Sequence, residues 1–150
     1  MDFLSEQALL YSSKKYEPIY MHLNSVYEMK YQDIFLLCAS LGFKKNNKIQ
    51  FNEKGRELRT NYFNSKQKAA VYTIILGDQD IGKNIEAFED AKFRLNARKT
   101  LEHYAEGGMD ILVNDVFTFR WDGNKLDENY TEYDLDITTY ILTDDEEVPF

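Results

Sequence analysis

Two histidines, one cysteine and a few acid–lysine juxtapositions are the places where chemistry could reside. An imidazole-built metal site needs histidines at ligand spacing or a histidine–acid pairing. His22 and His103 stand far apart, with no His-x-x-x-His and no His-Asp pair. Cys38 lies in the most apolar stretch of the chain, where a thiol is buried and inert. A lone cysteine also excludes an internal disulfide and a cysteine-built zinc site. Gly82-Lys83 lacks the rest of a phosphate-binding loop. Asp90-Ala91-Lys92 matches the acid-x-lysine half of a metal-dependent nuclease motif. That motif needs a strand beside another acid, whereas this triplet falls in a segment with helical periodicity, where i and i+2 diverge. No serine, histidine and acid arrangement suggests acyl transfer. The residues therefore assign no catalytic group, no metal and no cofactor.

The most distinctive local cluster is Glu102, Tyr104, Glu106, Gly107 and Gly108. Two readings stand: helix capping with a tight interhelical contact, or a corner that faces a partner.

The elements around these residues are mostly helical. Ser5–Leu10 reads as a short helix, and Pro18 interrupts any continuous helix. Tyr31–Leu41 is apolar almost all round and predicts a buried helix, with Gly42 as its left-handed cap. Lys44–Asn52 reads as a basic loop. Lys54–Phe63 reads as a helix with Leu58, Tyr62 and Phe63 inward. Residues 69–76 fit a buried strand or a helix, and Ala69, Ala70 and Gly77 favour the helix. Asp80 can cap the next helix. A long, bent helix is expected over 83–105, ended by Gly107-Gly108. Met109, Leu112, Val113, Val116 and Phe117 then predict a further helix, forming a hairpin or corner with the one before.

After Trp121 the pattern changes. Asp122-Gly123-Asn124 signals a turn. Tyr133, Leu135, Ile137 and Ile141 alternate with Glu132, Asp134 and Asp136, a period of two that predicts an extended strand. Its pairing edge would come from Phe117–Trp121 or from another protein by strand addition.

Charge follows the same division. The net charge is −8, yet Trp121–Phe150 holds ten acids against Lys125 alone, leaving the first 120 residues nearly neutral. An acidic segment repels phosphate and attracts basic protein surfaces; it also serves as a solvated tail. In the opposite sense, Lys44, Lys45, Lys48, Lys54, Arg56, Arg59, Lys66 and Lys68 face only Glu53 and Glu57. Such a segment is either a solvated face or a contact for nucleic-acid backbone. A 43% hydrophobic and 15% aromatic composition over 150 residues supports a folded core. No apolar run approaches membrane-spanning length, and Met1–Glu6 lacks the basic flank of a secretory signal. The expected location is the cytoplasm, with no membrane contact.

Two segments carry a family resemblance. Tyr31-Gln32-Asp33-Ile34-Phe35-Leu36-Leu37-Cys38-Ala39-Ser40-Leu41-Gly42-Phe43 and Leu101-Glu102-His103-Tyr104-Ala105-Glu106-Gly107-Gly108-Met109-Asp110-Ile111-Leu112 resemble small proteins associated with DNA phosphorothioation (Dnd) gene clusters and other bacterial defence loci. Here His103 interrupts the family's Glu-Tyr-Ala run, and Glu106 stands in place of asparagine. The resemblance implies an accessory role in antiphage defence beside a larger ATPase or nuclease. It carries over no catalytic residue.

The combined expectation is a mainly α protein: a compact helical domain over 1–120 and a short C-terminal β-hairpin or extended acidic arm over 121–150. A protein partner would be met by Glu132, Tyr133, Asp134, Leu135, Asp136, Ile137 and Ile141, and by the Glu106-Gly107-Gly108 corner. The alternatives are a nucleic-acid-binding module using Lys44, Lys45, Lys48, Arg56 and Arg59, or an acidic DNA mimic that inhibits a basic nuclease.

Overall fold

The computed structural model describes residue 4, residues 8–81 and residues 85–146. In chain order the elements are β1 (Leu9–Ser13), α1 (Glu17–Tyr27), α2 (Tyr31–Lys44), β2 (Lys54–Arg59), α3 (Ser65–Gly77), α4 (Ala91–Asp115) and α5 (Tyr133–Glu146). Single 3-10 turns lie at Thr60–Tyr62 and Ile85–Glu89. The chain is mainly helical, as expected, with α2 against α4 as its central packing. The core cluster runs from Leu4 to Ile137, so residues of the C-terminal stretch share one apolar interior with α1, α2 and α4.

The small sheet was not foreseen. Leu9 and Leu10 belong to a strand rather than to a helix over 5–10, of which residues 5–7 lie outside the described residues. Residues 54–59 form the antiparallel partner, where a helix over 54–63 was expected. Leu10 pairs with Leu58 and Tyr11 with Glu57, with a bulge between Tyr11 and Ser13. This pairing joins segments more than forty residues apart. Leu58 and Phe63 turn inward as expected, but Tyr62 stays exposed. Pro18 sits in the first turn of α1, where its missing N–H costs nothing, so it opens that helix.

Helix α2 buries Ile34, Phe35, Leu36, Cys38, Ala39 and Leu41, and α3 confirms the helical reading of 69–76. Asn64 starts α3 through reciprocal bonds: its Oδ1 accepts from Gln67 N at 2.9 Å, and its own N donates to Gln67 Oε1 at 2.8 Å.

The glycine assignments require correction. Gly42 caps nothing; it lies inside α2, which continues to Lys44. Gly107-Gly108 ends nothing either, because α4 runs unbroken from Ala91 to Asp115. No hairpin or corner forms there. A Cβ on Gly42 would overlap the Tyr104 carbonyl, one on Gly108 the Cys38 carbonyl, and one on Gly107 the Asn47 carbonyl. These glycines bring two helices and the 45–53 loop to backbone contact rather than bending the chain. The helix is begun by Asp90, whose Oδ1 accepts from Lys92 N at 3.0 Å.

The C-terminal strand also requires correction. Residues 133–146 form helix α5, not a hairpin strand or extended arm. Tyr133 and Ile137 are buried and Ile141 half-buried, a stripe at i, i+4 and i+8. Phe117, proposed as part of a pairing edge, is fully buried in the core. The Asp122-Gly123-Asn124 turn is present: Asn124 N and Lys125 N donate to Asp122 Oδ1, and Gly123 has φ 98°.

Candidate functional site

Helix α4 presents Glu102, Glu106 and Asp110 on successive turns toward β1 and the residues after it. Glu102 Oε2 accepts from Tyr11 N at 2.7 Å, and Asp110 Oδ1 accepts from Tyr16 Oη at 3.2 Å. Glu106 lies between them and is buried. Burial raises its pKa above the ordinary carboxylate value, a rise opposed by the Ser13 hydroxyl and the Lys15 charge. Glu102 is likewise raised by burial and lowered in part by the Tyr11 N–H. These acids dock α4 against the strand. Gly107 and Gly108 are buried inside the same helix, so the surface they would have offered is occupied by the protein itself.

A second cluster joins three elements. Asp78, at the end of α3, has a fully buried carboxylate. Its Oδ2 accepts from Tyr104 Oη at 2.6 Å and Lys48 Nζ at 2.9 Å; its Oδ1 accepts from Asp80 N and Ile81 N, each at 2.9 Å. Lys48 also donates to Asp80 Oδ2 at 2.7 Å. Burial raises the Asp78 pKa, but the bonds from Tyr104, Lys48 and Ile81 outweigh it and hold the carboxyl below its usual value. Tyr104 is pushed up to about 12, by burial first and then by the Asp78 bond. Lys48 is raised chiefly by Asp80. With four donors on one carboxylate, Asp78 has no lone pair left for a ligand. The cluster is a clasp between α3, α4 and the 45–53 loop.

That clasp removes Lys48 from the candidate nucleic-acid set. The remaining members do not converge. Lys45 lines a cleft with Asp115 and Tyr140, whereas Arg56 and Arg59 line another with Tyr31 and Tyr62. Arg56 stacks on Tyr31 at the start of α2, and Lys44 is that helix's last residue, about 20 Å away along its axis.

The C-terminal candidates divide by helix face. Tyr133 is enclosed by the rings of His22, Tyr27, Phe117 and Tyr130. Its Oη donates to the Asp127 carbonyl at 2.8 Å. With Ile137 and Ile141 it anchors α5 to the body. Leu135 and Leu142, 56% and 60% exposed, point away from it. Glu132 and Asp134 are exposed beside Leu135, and Asp136 is half-buried, accepting from Tyr130 Oη. In the preceding loop Phe119 is 95% exposed, a signal the sequence reading missed because the residue was counted with a pairing strand.

Among the described residues no group of three or more His, Cys, Asp or Glu side chains is arranged to hold a metal, and no helix is long and apolar enough to cross a membrane. The fold and surface define a small helical protein with an acidic outer helix, in which, among the described residues, His22 Nε2 is the buried side-chain polar atom left without a hydrogen-bond partner. By sequence, the chain belongs to the family described as DNA sulphur modification system-associated protein 4, whose model matches residues 13–125. The matched range includes α1 to α4 and stops before α5. No curated protein and no solved structure matches the chain.

Proposed function

We propose that the protein is a non-catalytic accessory subunit of a DNA sulphur-modification system acting in bacterial antiphage defence. It docks on a larger subunit of that system, an ATPase or a nuclease, in the cytoplasm. Family membership supports the system. The outer face of α5 supports the docking and is the observation that carries it: Leu135 and Leu142, two turns apart, stand exposed, Glu132 and Asp134 are exposed beside Leu135, and the α5 sequence contains no basic residue. An apolar pair on an acidic helix suits a partner with an apolar patch and a basic rim.

The test is co-purification of the tagged chain with the larger proteins of its own operon, after nuclease treatment. A fixed-ratio complex is expected, lost or weakened at least about tenfold in Leu135→Lys/Leu142→Lys. A complex that survives this double substitution unchanged would remove α5 from the interface. Absence of any operon-encoded partner would remove the accessory-subunit reading itself.

A further inference from the structure

A groove of about 320 Å³ opens between β2 and the N-terminal end of α2. Lys30, Tyr31, Gln32, Arg56, Arg59 and Tyr62 line it. Three cations gather here on a chain of net charge −8. Glu57 is the acid in the lining; its Oε1 stands 3.9 Å from Arg59 Nε, with both side chains about half exposed, so it neutralises little. Among the described residues, neither Lys30 nor Arg56 has an acidic partner.

The geometry of Arg56 is the informative part. Its guanidinium lies 4.0 Å over the Tyr31 ring. Tyr31 also pairs with the buried Tyr20, in near-parallel planes (11°) with centroids 6.4 Å apart. Tyr31 thus links the core, through Tyr20, to Arg56 at the surface. The ring supports the Arg56 guanidinium, and that residue is exposed to solvent. Tyr62 is 61% exposed, and its backbone is tied to α2 by Gln32 Nε2, which donates to the Tyr62 carbonyl at 3.3 Å. Two planar groups on a rigid base, ringed by cations and a side-chain amide, match what single-stranded nucleic acid needs. Unstacked bases lie on aromatic or guanidinium planes, and phosphates meet lysine and arginine. A duplex hides its base faces and could use only the charges. An acidic peptide could use only the charges too.

We infer that this groove binds single-stranded nucleic acid, with Arg56 and Tyr62 as stacking platforms and Lys30 and Arg59 on the backbone. The inference uses no residue of α5 and stands apart from the docking reading.

Fluorescence anisotropy on the full chain tests it, with a labelled mixed-sequence single-stranded DNA, the same sequence as RNA, and a DNA duplex. At least one single strand is expected to bind, with the duplex about tenfold weaker or more. Two phosphate contacts on a single strand, from Lys30 and Arg59, predict a loss of roughly 7-fold between about 50 mM and 200 mM salt. Arg56→Lys keeps the charge and loses the plane, so affinity should fall about tenfold with the salt slope retained. Tyr62→Ala should cost about tenfold as well. Lys92→Ala, at an exposed site on α4, should change nothing. Thermal melts establish that each variant is folded. Four results would overturn the inference: no binding of either single strand at low salt, equal binding of the duplex, wild-type affinity in Arg56→Lys, or displacement of the strand by a polyglutamate peptide at equal concentration.

Discussion

Gly108→Ala is expected to lower the stability of the protein by about 3 kcal/mol, seen as a fall of roughly 1–2 M in the urea midpoint. The sign is what makes the experiment informative. Helix propensity alone predicts a gain of about 1 kcal/mol when alanine replaces glycine inside a helix. Here the new methyl group would overlap the Cys38 carbonyl of α2. That obstacle is backbone, so no rotamer change relieves it; α2 and α4 must move apart, and the contacts of Leu101, Met109, Ile34 and Phe35 across them loosen. Gly42→Ala meets the Tyr104 carbonyl from the opposite helix and should behave alike. An unchanged or raised midpoint in both would mean that the two helices do not meet at their backbones.

The second large effect is expected at the clasp. Asp78→Ala should cost about 3 kcal/mol, because it strands the buried Tyr104 hydroxyl and takes from Lys48 one of its two carboxylates, leaving it Asp80 alone. Its pH dependence has a definite sign. A carboxyl held below its unfolded value contributes stability above that value, about 3.9, and loses it as pH falls through the lower folded value. Tyr104 and Lys48 are both raised, so their contribution is present below about 10 and fades as pH climbs through their folded values. Wild type should therefore exceed Asp78→Asn in stability across the range between, with the gap closing in acid. Urea midpoints of the two proteins at a series of pH values measure this; a gap that persists in strong acid would refute the clasp.

What could be read from the chain, and what could not, depends on the range of the interactions involved. The burial of α2 was legible because Ile34 to Leu41 is apolar on every side, and any fold must enclose such a helix. The turn at Asp122 was legible because its bonds are local. The β1–β2 pair was not, because Leu58 is the only buried residue of β2 and its reason for being a strand is Leu10, far away in sequence. Helix α5 was misread for a different reason. Tyr133, Ile137 and Ile141 satisfy a period of two and a spacing of four at once, and Leu135 tipped the pattern towards a strand although it faces solvent. Asp134 and Asp136 in the first turn were the overlooked sign, since acids favour a helix N-terminus. Glycines were read as punctuation because sequence alone does not distinguish a helix that ends from one that another backbone touches. The clasp was hidden in the same way: Lys48, Asp78 and Tyr104 each belong to a different segment. The groove at Arg56 was half visible, as basic residues without the ring beneath them.

Cys38 sits at the point where α2 and α4 touch, fully buried, with its thiol pushed well above the ordinary range, by burial first and then by the Glu106 charge. A soluble alkylating reagent has no path to it while those helices stay together. As the only cysteine of the chain, it is a native clock: its rate of modification counts how often the centre of the molecule opens, and a tightly bound partner would slow that clock wherever on the surface it docks.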